Sequence, residues 1–210
     1  MCKCANVQMR SVIPACRQAG VIDSFLPSTI NHKPITMPDP QYPIGRYEPQ
    51  AFSDSQKQEW LNNILQLPAE LEYAIQNLDV AQLHSPYREG GWTIQQLVHH
   101  VADSHMNAYI RFKLALTEEN LTVKSYEEKL WAELADVQVL PVNISITLLH
   151  ALHARLYAAI RDLNAEQWGR TFNYPGKPAP VSIWFLLGMY SWHGKHHTAH
   201  ILEFRKANNL

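Results

Sequence analysis

Ser182 to His200 reads SIWFLLGMYSWHGKHHTAH, and this stretch decides the fold. At about 100° per residue, Ile183, Leu186, Tyr190, His193 and His197 drift along one helical stripe that continues to Phe204. Ser182 is a natural N-cap, and Arg205 and Lys206 fall where a helix C-terminus favours cations. The nearly uncharged run from Ser182 to Trp192 is too short to span a bilayer. It reads as a buried helix.

Working outward, a second long helix begins at Thr93-Ile94-Gln95-Gln96, where Thr and Gln three apart form a capping box. Ile94, Leu97, Val98, Val101, Ala108 and Phe112 recur at three and four through about Leu116. A first helix is expected from about Ser53 to Asn77, on Trp60, Ile64, Leu65, Leu71 and Ile75. Pro68 falls inside it, so either the helix kinks or two helices meet there. A third long helix spans about Ile144 to Leu163, and a short one Tyr126 to Leu134. Tyr87–Trp92 reads as a turn, and Pro175, Pro178 and Pro180 mark a loop. Strand signals are weak throughout. The expectation is an all-α, antiparallel four-helix bundle with a short extra helix, over residues 43–207. Residues 1–42 lack a sustained period and carry five prolines. They read as an irregular or disordered N-terminal leader, with Pro43–Tyr47 as an ordered lead-in to the fold.

The chain has 210 residues, 46% of them hydrophobic, enough for one domain with a proper core. A net charge of −1 without a basic block implies no nucleic-acid partner. No glycine-rich phosphate loop, nucleophile elbow or His-Glu-x-x-His motif occurs. The cysteines, Cys2, Cys4 and Cys16, are odd in number and confined to one end. That is no disulfide framework, so a cytoplasmic location is expected.

Seven of the eleven histidines lie in two segments, His99–His105 and His193–His200. Two imidazoles one turn apart, joined by a third from another helix, suit a three-histidine metal site with an open position. His193/His197 continue the apolar face. His196/His200 form a rival pair further round the helix, and periodicity favours the first pair without deciding between them. On the second helix His100 borders the apolar stripe, and Asp103, Ser104, Asn107 and Arg111 follow it as a polar streak. Asp103, three residues on, has the spacing to hold the free ring nitrogen of a ligand. His99 points elsewhere. His32, His84, His150 and His153 read as ordinary core or surface histidines.

Tyr42–Gly45, Pro86–Thr93, His99–Asn107, Arg111–Lys113, Trp192–His193 and His196–Ile201 resemble the DinB/YfiT-like superfamily, within it the YfiT branch of metal-dependent hydrolases. The resemblance runs from about Gln41 to Lys206. It implies a four-helix bundle holding one divalent cation per subunit through His100, His193 and His197, and a homodimer. Zinc is the first choice, with nickel, iron or manganese also suited to imidazole. Thr198-Ala199-His200 follows the last ligand, where other branches carry Arg-Gly-Gln. Three readings follow: a hydrolase acting on a small-molecule substrate, with Asp103 orienting a ligand or moving a proton; a thiol transferase; and a non-catalytic metal-binding protein with a closed site. No membrane partner is expected.

Overall fold

The computed structural model describes residues 39–210. Residues 1–38, which hold most of the expected leader with its three cysteines and His32, lie outside the described residues. In chain order the elements are α1 (Asp54–Ile75), α2 (Val80–Leu83), α3 (Ile94–Thr117), α4 (Glu128–Trp131), α5 (Ala135–Val139), α6 (Asn143–Ile160), α7 (Ala165–Gly169), β1 (Thr171–Phe172), β2 (Val181–Ser182) and α8 (Ile183–Ala207).

The helix starts follow side-chain chemistry. Ser53, Thr93 and Ser182 accept from the backbone N–H three residues on, and Gln96 closes the expected capping box on Thr93. α1 runs unbroken through Pro68, so the proline neither ends it nor divides it in two. The short helix expected over Tyr126–Leu134 is only the single turn of α4, with α5 added after it. Val181 and Ser182 pair with Phe172 and Thr171 as a small antiparallel ribbon, a strand signal too short for periodicity to register. No helix among the described residues is long and apolar enough to cross a membrane.

The four long helices form the expected four-helix bundle. α1 packs on α6 and α8, and α3 packs on the same two, so α1 and α3 are diagonal partners. Asn63 meets Ser191 and Ala74 meets Arg205, so α1 and α8 are parallel. His99 meets Ser145 and His105 stacks on His153, so α3 and α6 are parallel too. The α1–α6 and α3–α8 pairs are antiparallel, as the Ile64–His153 with Glu72–His150 and the Arg111–Tyr190 with His105–His193 contacts require. The long connection between α3 and α6 permits this arrangement.

Two apolar clusters fill the interior. One holds Trp60, Ile64, Phe112, Leu156 and Leu186; the other holds Leu71, Leu97, Val101, Leu149 and Ile201. His105, His153, His193 and His197 fall between the two clusters along their helices. The bundle therefore carries a polar belt between two greasy ends.

α8 approaches α1 closely at two glycines. A methyl at Gly188 would come within 2.5 Å of the Trp60 ring, and one at Gly194 within 2.7 Å of Leu67. The second contact seats the turn that carries His193. The lead-in residues dock on the same helix: Trp192 Nε1 donates to the Gly45 carbonyl at 3.1 Å and the Tyr47 hydroxyl to that of Phe185 at 3.3 Å.

Candidate metal centre

Antiparallel packing of α3 on α8 sets residues five apart on one helix against residues four apart on the other. His100 therefore faces His193 and His197, with ring centroids 5.4 and 5.1 Å away. Each of the three offers a ring nitrogen, and these nitrogens all lie within 4.8 Å of one another. His100 and His197 are buried, while His193 keeps part of its surface open. Trp92 covers His100 at 4.7 Å.

Burial determines the protonation of the group. Desolvation lowers His100 to about 4, and His193 and His197 go well below the ordinary imidazole value. Each ring also disfavours charge on its neighbours. Neutral imidazole is the form that coordinates a cation. His197 Nδ1 is buried without a hydrogen-bond partner, and such an orphan costs about 1–3 kcal/mol. Three neutral nitrogen donors with no carboxylate among them suit a borderline-soft divalent ion such as zinc. The residues present fit the group.

His105 Nε2 lies 3.2 Å from His193 Nδ1. That contact leaves Nε2 as the ring nitrogen through which His193 can coordinate. The sequence suggested Asp103 as the partner of a ligand ring, but the structure shows no hydrogen bond from its carboxylate to any histidine. Desolvation, aided by the nearby Asp136 charge, instead raises the Asp103 carboxyl to about 6. Tyr190 presents its ring edge to His105 at 5.1 Å, and its hydroxyl accepts from buried Arg111 at 2.8 Å. Asn107 is spent on the Asp103 carbonyl. Trp131 packs on Tyr126.

His99 points away, as expected. Its Nε2 donates to the Leu140 carbonyl at 3.1 Å, so its Nδ1 accepts from Ser145 at 2.7 Å. His150 pairs with Glu72 at the surface, and exposed His84 bonds the Val80 carbonyl. His153 differs from its ordinary-histidine expectation: it is buried and satisfied on one nitrogen only. Only its place on an apolar helix face signalled it, and that signal is the same for a histidine of no consequence.

The rival pair also has a geometry. His196, His197 and His200 form a second buried group whose ligand atoms lie within 4.8 Å of one another. Trp192 stacks on His196 at 4.4 Å and 17°, and Tyr87 lies on His200 at 4.3 Å, so aromatic packing accounts for their burial. A cleft of about 480 Å³ between Tyr87, Arg88 and Glu203 reaches the histidines only at His200. The three-helix convergence occurs at His100, His193 and His197 with His105 behind it.

Comparison with known proteins agrees with this geometry. Residues 63–201 match the family model described as DinB superfamily. A Bacillus cereus protein named "Putative metal-dependent hydrolase" is 48% identical over 174 residues, covering 82% of this chain and 99% of its own. A Bacillus anthracis protein of the same name matches to the same extent. The solved structure of YfiT from Bacillus subtilis, described as "a probable metal-dependent hydrolase with an unusual four-helix bundle topology", superposes with a TM-score of 0.78 at 43% identity, covering 81% of this chain and 98% of that one.

Proposed function

The chain belongs to the DinB superfamily, and from that premise we propose that it is a metal-dependent hydrolase in which His100, His193 and His197 hold one divalent cation. The observation that carries this reading is the meeting of three neutral imidazoles from two helices, with no carboxylate among them. Such a cation, when bound, supplies Lewis acidity and makes water a nucleophile near neutral pH. Zinc is proposed first, because three imidazoles match its preferred donors.

The protein's own groups do the rest. His100 and His197 are held by burial, and His193 by burial and by His105. Trp92 and Tyr190 limit the access of bulk water to the imidazoles, which strengthens every polar contact there. Asp103, one turn after His100, has a carboxyl raised to about 6, so near neutrality it is mostly ionised yet readily protonated. We assign it the proton released when water adds to the substrate. The substrate is a small molecule with an electrophilic carbonyl or similar centre. A cytoplasmic homodimer belongs to the same proposal, following the resemblance to the YfiT branch.

Metal analysis of purified protein, followed by a panel of small esters and amides assayed with and without cellular thiols, tests the reading. Turnover that needs metal but no thiol supports it. Product formation only with a thiol would replace hydrolysis by thiol transfer, and a metal-loaded protein inert to the whole panel would favour a binding role.

A further inference from the structure

Pro68 has no backbone N–H, so the Ile64 carbonyl four residues earlier is left without its helical hydrogen bond. His153 Nδ1, on α6, takes up that carbonyl. A carbonyl can only accept, so His153 carries its proton on Nδ1. Burial keeps this ring neutral, which leaves a lone pair on His153 Nε2. That nitrogen is buried and has no partner among the described residues.

The neighbouring ring has the complementary need. His105 stacks on His153 at 4.9 Å with 28° between the planes, and its Nδ1 is also buried and unpartnered. Its other nitrogen, Nε2, faces His193 Nδ1 at 3.2 Å. Two proton arrangements satisfy that last contact. If His105 Nε2 carried the proton, His105 Nδ1 and His153 Nε2 would be two buried lone pairs on stacked rings with no donor between them. His193 would then hold its own proton on Nε2 and present no lone pair there. If His105 carries the proton on Nδ1, the same two orphans become donor and acceptor. His193 Nδ1–H then donates to His105 Nε2, and His193 Nε2 is left bare. Desolvation of unpaired polar atoms favours the second arrangement.

We propose that Pro68, His153 and His105 form a tautomer-setting relay, in which the Ile64 carbonyl freed by the proline orients the protons of successive imidazoles so that His193 presents an unprotonated Nε2 to a cation. The relay joins all four long helices: α1 through Ile64, α6 through His153, α3 through His105 and α8 through His193. His105 and His153 are positioning residues that act through His193. The inference rests on the reading of His193 as a cation ligand and extends it to the part of the bundle that makes His193 competent.

The direct test is the tautomer of His193 in the metal-free wild-type protein, read by long-range proton–nitrogen NMR of ¹⁵N-labelled histidine. The relay requires Nδ1–H, and an Nε2–H form would overturn it. The second test is Co(II) affinity by chelator competition. His105→Phe keeps the ring volume without nitrogens and should weaken binding about 10–100-fold, as loss of a ligand's hydrogen-bond partner does. His105→Gln returns an acceptor near the Nε2 position and should recover most of that loss. Wild-type affinity in His105→Phe, or no recovery in His105→Gln, would also overturn the proposal. His193→Ala separates the two levels of inference. If it too binds Co(II) like wild type, the ligand set itself is wrong; if it loses Co(II) while His105→Phe does not, only the relay falls. Should the His105 variants fail to fold, the wild-type tautomer still decides.

Discussion

His100 on α3 and His197 on α8 meet edge to face, with ring centroids 5.1 Å apart and planes at 77°. Edge-to-face packing is an ordinary aromatic arrangement, but two buried imidazoles of this kind also bring nitrogens together. With His193 one turn before His197, the pair becomes a three-sided set of donors, and the predictions below turn on it.

Ligand substitutions should divide sharply. His100→Ala, His193→Ala and His197→Ala are each expected to lower cation affinity by more than about a hundredfold, beyond the cost of losing a ligand's hydrogen-bond partner. His99→Ala should leave binding intact, because both its nitrogens are engaged by Ser145 and the Leu140 carbonyl. Chelator competition measures both. Loss of the cation in His99→Ala and His196→Ala, but not in the first three, would shift the register of the site.

Acid should unfold the metal-free protein early. The pKa values of His100, His153, His196 and His200 lie near 4 in the folded state, below the ordinary 6.5. Between those values the unfolded chain binds more protons, so stability is fully present above about pH 6.5 and is lost as pH falls toward 4. Asp103, raised to about 6, acts in the opposite sense between 3.8 and 6 but is a single group. For buried His100 alone the linkage is roughly 3 kcal/mol, which corresponds to a fall in Tm on the order of 10 °C. Calorimetry from pH 8 to pH 4 reads it. A flat Tm across pH 6.5–4.5 would contradict the depressed imidazoles.

Asp103→Asn should leave cation affinity unchanged and lower hydrolysis by about 10²–10⁴-fold, the usual contribution of a positioned acid or base. The wild-type rate should rise as pH increases through about 6, where the carboxyl ionises, and the variant should lack that limb. A pH profile of kcat/KM for both proteins checks this. Persistence of the limb in the variant would assign it to another group.

Gly188→Ala should destabilise the bundle by about 1–3 kcal/mol, because a methyl 2.5 Å from the Trp60 ring forces α1 and α8 apart. Gly169→Ala is the control, since nothing lies within 4 Å of its added carbon. Denaturant titration should place that variant within about 0.5 kcal/mol of wild type. Equal stability of the two variants would mean that the α1–α8 contact yields easily.

Much of the fold was legible along the chain. The apolar recurrences of Leu97, Val101 and Phe112, and of Leu149, Leu156 and Ile160, are local properties of a 3.6-residue period, as are the caps at Thr93 and Ser182. Pro68 was visible but its consequence was not. A missing N–H announces a free carbonyl, yet whether the helix breaks or another residue takes that carbonyl depends on a helix some ninety positions later. The β1–β2 ribbon was missed because two-residue strands carry no period.

The same division runs through the site. Sequence by itself determined that the long segments are helices and that His193 and His197 share a face one turn apart, because these depend only on neighbours within a few residues. Tertiary structure alone decided that His100 meets them, that His105 rather than Asp103 backs His193, and that His153 lies beneath His105. The reason is physical: the proton on an imidazole is directed by whichever donor or acceptor touches it, and in a bundle that group belongs to a distant part of the chain.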